Sequence, residues 1–164
     1  VSSWFSAPQA VEDRQGRSLT LSVVGPAEVE ALYPLELAAH SHPMPKSTLL
    51  GNLQRYRCAG LRDGERWLAF ALVSVVVGEA ELLDIVVDPA AQGQGVGRLL
   101  LEAVLDQLQG QAERMFLEVR ESNDSAIGLY SALGFVEVGV RHGYYPAAKG
   151  REDAILMALE LDWR

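Results

Sequence analysis

Three glycines fall within five residues where an apolar run gives way to a polar one: Ile85-Val86-Val87-Asp88-Pro89-Ala90-Ala91 leads into Gln92-Gly93-Gln94-Gly95-Val96-Gly97-Arg98. Glycines at a passage from strand to helix let backbone N–H groups close around a phosphate, and the dipole of the following helix adds attraction for the anion. Gln92 to Arg98 is therefore a candidate pyrophosphate site, although the pattern by itself also suits an ordinary loop. A Walker loop needs Gly-Lys followed by Ser or Thr, and here Gly97 is followed by Arg98 and Leu99. The dinucleotide fingerprint needs another glycine spacing and several strand-helix-strand units, although Glu118 does stand about twenty residues downstream, where that fingerprint places an acid. His40, His42 and His142 have no ligand spacing, and the single cysteine, Cys58, has no cysteine partner for a zinc site or an internal disulfide. The expectation is a protein without a metal, in a reducing compartment, which points to the cytoplasm.

The elements that must position this loop can be read from periodicity. Residues 1–17 mix Ser, Pro, Gln, Gly and charges without a period and read as a loose leader outside the chemistry, followed by one domain over 18–164. Ser18 to Val24 reads as a strand, and Pro26 to Ala39 as a helix that Pro34 kinks or breaks. Ser41-His42-Pro43-Met44-Pro45 is a loop before a short second helix, Lys46 to Gln54. Arg55 to Leu61, Trp67 to Val77 and Ala80 to Val87 read as successive antiparallel strands with a turn at Asp63-Gly64. Val96 to Leu108 is an amphipathic helix, Arg114 to Val119 a strand, Ser122 to Leu133 a helix, and Phe135 to Tyr145 and Asp153 to Leu161 two closing strands. The class is α+β, with one β-loop-helix site in a mixed sheet.

A net charge of −8 argues against a protein that neutralises nucleic-acid phosphates. It suits a cationic substrate, or serves solubility alone. Trp67 to Val77 is too short to cross a bilayer as a helix, and no basic segment leads into an apolar one at the start of the chain, so no membrane anchor or export signal is expected.

Gln92-Gly93-Gln94-Gly95-Val96-Gly97 resembles the Q/R-x-x-G-x-G/A element by which the GNAT superfamily of N-acetyltransferases holds the pyrophosphate of coenzyme A. Leu117-Glu118-Val119-Arg120, Ser122-Asn123, Ala126, Leu129-Tyr130 and Leu133-Gly134-Phe135 resemble the pattern of the second half of that superfamily. The likeness runs from Leu82 to Leu159, about half of the chain. Within the superfamily, Leu117 to Arg120, Tyr144-Tyr145-Pro146 and Gly150-Arg151-Glu152-Asp153-Ala154 are similar to the RimI family, alanine N-acetyltransferases of a small-subunit ribosomal protein. The front half departs from it, with Pro43-Met44 where that family usually has Pro-Trp.

The resemblance implies a GNAT fold: a mixed, mostly antiparallel sheet flanked by about four helices, with acetyl-CoA as cosubstrate. It implies Glu118 as general base, acting through water, and Tyr130 as general acid, a phenol that stays protonated near neutral pH. It gives Asn123 a contact to coenzyme A beside its role as a helix cap, and Ile85, Val86 and Val87 backbone contacts to the pantetheine. Read without the resemblance, Glu118 could be only an edge or ion-pair residue, and a tyrosine on a helix, as at Tyr130, is more often a packing residue with a satisfied hydroxyl. An α-amine, with a reference pKa near 8, is roughly a hundredfold richer in its neutral form at pH 7 than a lysine. A remote base therefore suffices for a protein amino terminus. His42, Met44, Tyr144 and Tyr145 are the candidate grip on the amino-terminal segment of a basic ribosomal protein, with neither nucleic acid nor membrane as partner. A small-molecule amine acetyltransferase, or a coenzyme A-binding module without catalysis, are the alternatives.

Overall fold

Apolar alternation builds the strands of this protein. In Ala112–Arg120, Met115, Leu117 and Val119 turn inward, while Phe116, Glu118 and Arg120 share the opposite face, as a period of two requires. The computed structural model describes residues 8–161. Among them the elements are β1 (Gln9–Glu12), β2 (Ser18–Val23), α1 (Val29–Ala39), α2 (Lys46–Arg55), β3 (Arg57–Asp63), β4 (Arg66–Val76), β5 (Gly78–Val87), α3 (Val96–Leu108), β6 (Ala112–Arg120), α4 (Asp124–Ala132), β7 (Val136–Pro146) and β8 (Arg151–Glu160). Hydrogen bonding joins the strands in the order β1-β2-β3-β4-β5-β6-β8-β7. The pairs β1–β2, β2–β3, β3–β4, β6–β8 and β7–β8 are antiparallel, and β5–β6 is parallel. A parallel pair needs a crossover, which α3 supplies. This is the mixed, mostly antiparallel sheet with four α-helices that the sequence predicts.

The residues form two units, one holding the described chain up to Ser74 with Asp84–Gln107, the other Val75–Leu83 with everything from Leu108. In the first, Leu32 and Leu35 of α1, Leu49 and Leu53 of α2, Cys58, Phe70, Leu72 and Val86 close one apolar core, against which Tyr33, Met44 and Trp67 pack. In the second, the β5–β6 register runs from Gly78↔Ala112 to Leu82↔Leu117. Glu118 thus follows the last residue of β6 paired with β5, and on its other side it lies opposite Leu156 of β8.

Two expectations need correction. Residues 1–7 lie outside the described residues, but the rest of the segment read as a loose leader is ordered: β1 pairs with β2 from Gln9↔Leu21 to Glu12↔Ser18, and a turn at 13–17 joins them. A neighbouring strand supplies the hydrogen bonds that an aperiodic stretch cannot announce. Pro34 does not break α1, which runs through it to Ala39. The core contacts of Leu32 and Leu35 on either side of the proline hold the helix together against the lost backbone hydrogen bond.

Candidate active site

The glycine turn grows out of a capped end of β5. Asp88 accepts the Ala90 N–H at Oδ1 (3.0 Å) and the Arg66 guanidinium at Oδ2 (3.0 Å), which stops the strand and starts a single 3-10 turn at Pro89–Ala91. Gln92 reaches back to donate from Nε2 to the Val87 carbonyl (3.4 Å). Gly93 and Gly95 adopt φ of +80° and +78°, a region that a side chain would strain, and α3 begins at Val96. Gln94 accepts from Arg17, and Arg98 turns along α3 to Glu102 (3.2 Å). Val86 is buried in the core, whereas Ile85 and Val87 are half-buried.

In the same unit, α1 and β5 bring together side chains that the sequence reading left apart. Ligand-type atoms of Glu36, His40 and Asp84 lie within 4.8 Å of one another. His40 Nε2 is 3.0 Å from Asp84 Oδ1, and the Met44 N–H donates to Glu36 Oε2 (3.1 Å), fixing the loop after α1. Glu36 Oε1 and Asp84 Oδ2 are buried and receive no hydrogen bond from a protein donor. Burial, followed by the neighbouring Asp84 carboxyl, pushes the pKa of Glu36 up to about 8. A proton on Glu36 turns one of the two acceptors into a donor toward the other, and the pair is then satisfied without a metal ion. Met44 is half-buried against the core and accepts a weak hydrogen bond from Asn52 at its sulfur (3.6 Å), while His42 stays exposed beside Ser41 (3.1 Å).

In the second unit, Glu118 on β6 pairs with Arg141 of β7 (3.3 Å). Tyr144 and Tyr145 meet edge to face at 4.9 Å, with Arg141 over the first ring at 5.1 Å and Arg120 over the second at 4.5 Å. Burial and the charge of Glu118 push the Tyr145 hydroxyl up to about 12. The run similar to the RimI family has a structural task here. Arg151 donates to the carbonyls of Gly143 (2.5 Å) and Tyr144 (2.7 Å), and Asp153 accepts the Gly143 N–H (2.8 Å). Together they hold the irregular stretch of β7 between Arg141 and Tyr145 that presents the two tyrosines. Glu152 ties the end of β6 to β8 through the Ser122 hydroxyl (2.7 Å) and Arg120 (3.4 Å). Asn123 caps α4 by accepting the Ala126 N–H (3.2 Å). Tyr130, on α4, is buried, with its ring 5.8 Å from Phe135. The structure therefore gathers Glu118, Tyr144 and Tyr145 around two arginines, places Tyr130 in the same unit, and sets Ile85–Val87, Gln92–Arg98, His42 and Met44 in the other.

The model of the acetyltransferase (GNAT) family matches residues 28–135. The chain belongs to the GNAT acetyltransferase family. The [ribosomal protein bS18]-alanine N-acetyltransferases of Salmonella typhimurium and Escherichia coli K12 are each 43% identical over 144 residues, which is 87% of this chain and 97% of theirs. The crystal structure of the ribosomal-protein-S18-alanine N-acetyltransferase from Escherichia coli superposes with a TM-score of 0.84 at 42% identity, covering 88% of this chain and 94% of that one. The fold is shared more widely: yncA from Salmonella typhimurium, solved with its cofactor acetyl-CoA, gives a TM-score of 0.73 at 19% identity over 89% of this chain and 95% of its own.

In this GNAT chain the sequence reading missed Glu36, Asp84, Arg120 and Arg141. Glu36 and His40 stand four apart on one helix and so share a face, a signal that was available. Asp84 joins them from 44 residues beyond His40, and Arg141 meets Glu118 across the intervening β8, so neither leaves a local trace. No helix among the described residues is long and apolar enough to cross a membrane.

Proposed function

We propose that this protein transfers the acetyl group of acetyl-CoA to the α-amine of the amino-terminal alanine of ribosomal protein bS18, in the cytoplasm. The observation that carries the reading is 43% identity to bS18-alanine N-acetyltransferases over 97% of their length. The residues present suit the cosubstrate: the positive φ of Gly93 and Gly95 shapes a turn of backbone N–H groups at the start of α3, where a pyrophosphate is favoured. Gln92 to Arg98 hold the nucleotide end, Asn123 adds a contact, and Ile85, Val86 and Val87 offer backbone groups to the pantetheine. Acetyl-CoA supplies a thioester, which an amine attacks directly once it is neutral. Glu118 takes a proton from the α-amine through water, and Tyr130 gives its phenolic proton to the departing sulfur. Tyr144 and Tyr145 receive the peptide, and His42 and Met44 of the loop after α1 are its further candidate contacts.

Arg141 has a part in this reading. In the absence of peptide it neutralises Glu118, and an arriving ammonium group competes for the same carboxylate. An α-amine loses its proton far more readily than a lysine, so the pairing favours an amino terminus as acceptor. The test is mass spectrometry of a peptide copying the mature amino terminus of bS18, incubated with enzyme and acetyl-CoA beside a lysine-only peptide and a polyamine panel. One acetyl on the α-amine is the expected result. Acetylated polyamines with an untouched peptide would keep the GNAT chemistry and overturn the acceptor.

A further inference from the structure

The turn between β1 and β2 lies against the glycine turn and brings two arginines to it. Arg14 donates from Nη2 to the Gly93 carbonyl (3.3 Å) across 79 residues of chain. Its guanidinium lies over Gly95, where a Cβ would stand 2.5 Å from Nε and 2.9 Å from Nη2. Arg17 donates from Nη2 to Gln94 Oε1 (2.8 Å), so the two turns are joined at two points. Asp13 makes the first turn rigid by accepting the N–H groups of Gln15 (3.0 Å) and Arg17 (2.8 Å) and the Nε of Arg17 (2.7 Å). Burial alone would raise the Asp13 carboxyl, but its bonds from Arg17 and Gln15 outweigh that and hold it below the ordinary carboxylate value.

The charges nearby are divided unequally. Arg17 is committed to Asp13 and Gln94 and stands 3.7 Å from Asp63, and Arg98 is turned to Glu102 (3.2 Å). A guanidinium carries five N–H donors, and the Gly93 carbonyl takes one of those of Arg14. Beside it opens a cavity of about 440 Å³ whose walls carry the acids Glu12, Asp13 and Glu102 and the arginines Arg14 and Arg98, next to Gly95. A chain of net charge −8 repels a polyanionic nucleotide over most of its surface, so a fixed local cation is needed where the phosphates settle. Backbone N–H groups supply only partial charge there.

We propose that Arg14 is a phosphate ligand for the coenzyme, a full positive charge that the amino-terminal hairpin adds to the glycine turn. This rests on reading Gln92–Arg98 as the coenzyme A pyrophosphate site. Arg14 lies outside the segment matched by the family model, which begins at residue 28, so it is an addition to the matched GNAT machinery. The Gly93 carbonyl takes one donor of Arg14, which also lines the cavity, and a phosphate oxygen there can accept from those that remain.

The test compares full-length wild type, Arg14→Ala and Arg14→Gln by calorimetric titration with acetyl-CoA and with 3′-dephospho-acetyl-CoA, with thermal melts of each. Glutamine keeps a donor for Gly93 and removes the charge. Both variants are expected to bind acetyl-CoA about tenfold or more weakly than wild type, with the loss appearing in KM for acetyl-CoA rather than in kcat. An equal loss on the dephospho form assigns the pyrophosphate, and a loss confined to acetyl-CoA assigns the 3′-phosphate; either supports the proposal. Unchanged affinity in Arg14→Gln overturns it, and so does tighter binding in Arg14→Ala, which would make Arg14 a cover over the turn. A wild type that does not bind acetyl-CoA at all would instead remove the reading of the glycine turn.

Discussion

Replacing Glu36 by glutamine keeps the shape of the side chain, the acceptor for the Met44 N–H and a donor toward Asp84, and removes only the capacity to ionise. The wild-type carboxyl ionises at an ordinary 4.5 when unfolded and near 8 when folded, because burial and then Asp84 oppose the charge. Its folded pKa is the higher one, so the folded chain gains from holding the proton below pH 4.5 and loses that gain as pH rises to about 8. The slope has a ceiling of about 1.4 kcal/mol per pH unit, and the Met44 N–H and the nearby His40 charge, which favour the ionised form, reduce the whole effect to about 1–3 kcal/mol. Urea unfolding of wild type and Glu36→Gln at pH 5, 6, 7 and 8 measures it, since groups remote from Glu36 titrate alike in both proteins. The two are expected to match near pH 5 and the variant to be the more stable by about 1–3 kcal/mol at pH 8. A stability difference independent of pH would show that Glu36 is ionised in the fold, and the account of the buried pair would fail.

Tyr130→Phe is expected to lower kcat by about a hundredfold or more while acetyl-CoA affinity stays at the wild-type value; full activity would remove Tyr130 as the acid. Gly60→Ala places a Cβ 2.7 Å from Trp67 Cζ3 and 2.9 Å from Val24 Cγ2. A crowded core of this kind costs about 1–3 kcal/mol, visible as a lower melting temperature, and an unchanged melt would mean that Trp67 swings aside freely. Cys58 is buried, and burial followed by the Asp84 charge pushes its thiol well above the usual range. An aromatic disulfide reagent at neutral pH is expected to react with it slowly in the folded protein and at once in denaturant, and immediate stoichiometric reaction of the folded chain would contradict the packing.

Much of the fold around the candidate site was legible because its signals are local. The helix read at Val96 to Leu108 is α3 to the residue, since its apolar positions recur every three or four residues and the glycines before it have no competing period. The Asn123 cap sits on the following helix where its residue type suggests. Met44, which the resemblance gives to the substrate, is also half-buried against the core of α1 and α2, and its backbone N–H goes to Glu36, contacts that no local signal announces.

By itself the sequence determined the α+β class, the order of all but one strand and the four helices, the place of the glycine turn between strand and helix, and the GNAT membership that the family match bears out. Each of these is written in neighbouring residues, as a period, a cap or a turn. Only the tertiary structure decided that residues 9–12 form an edge strand, that Glu36 is buried beside Asp84 and raised in pKa by that burial and by its neighbour, that Arg141 holds Glu118, and that Arg14 reaches the glycine turn. Those outcomes join groups that lie far apart in the chain. Their energies depend on which surfaces are brought together and how far water is excluded between them, and no window of sequence contains that information.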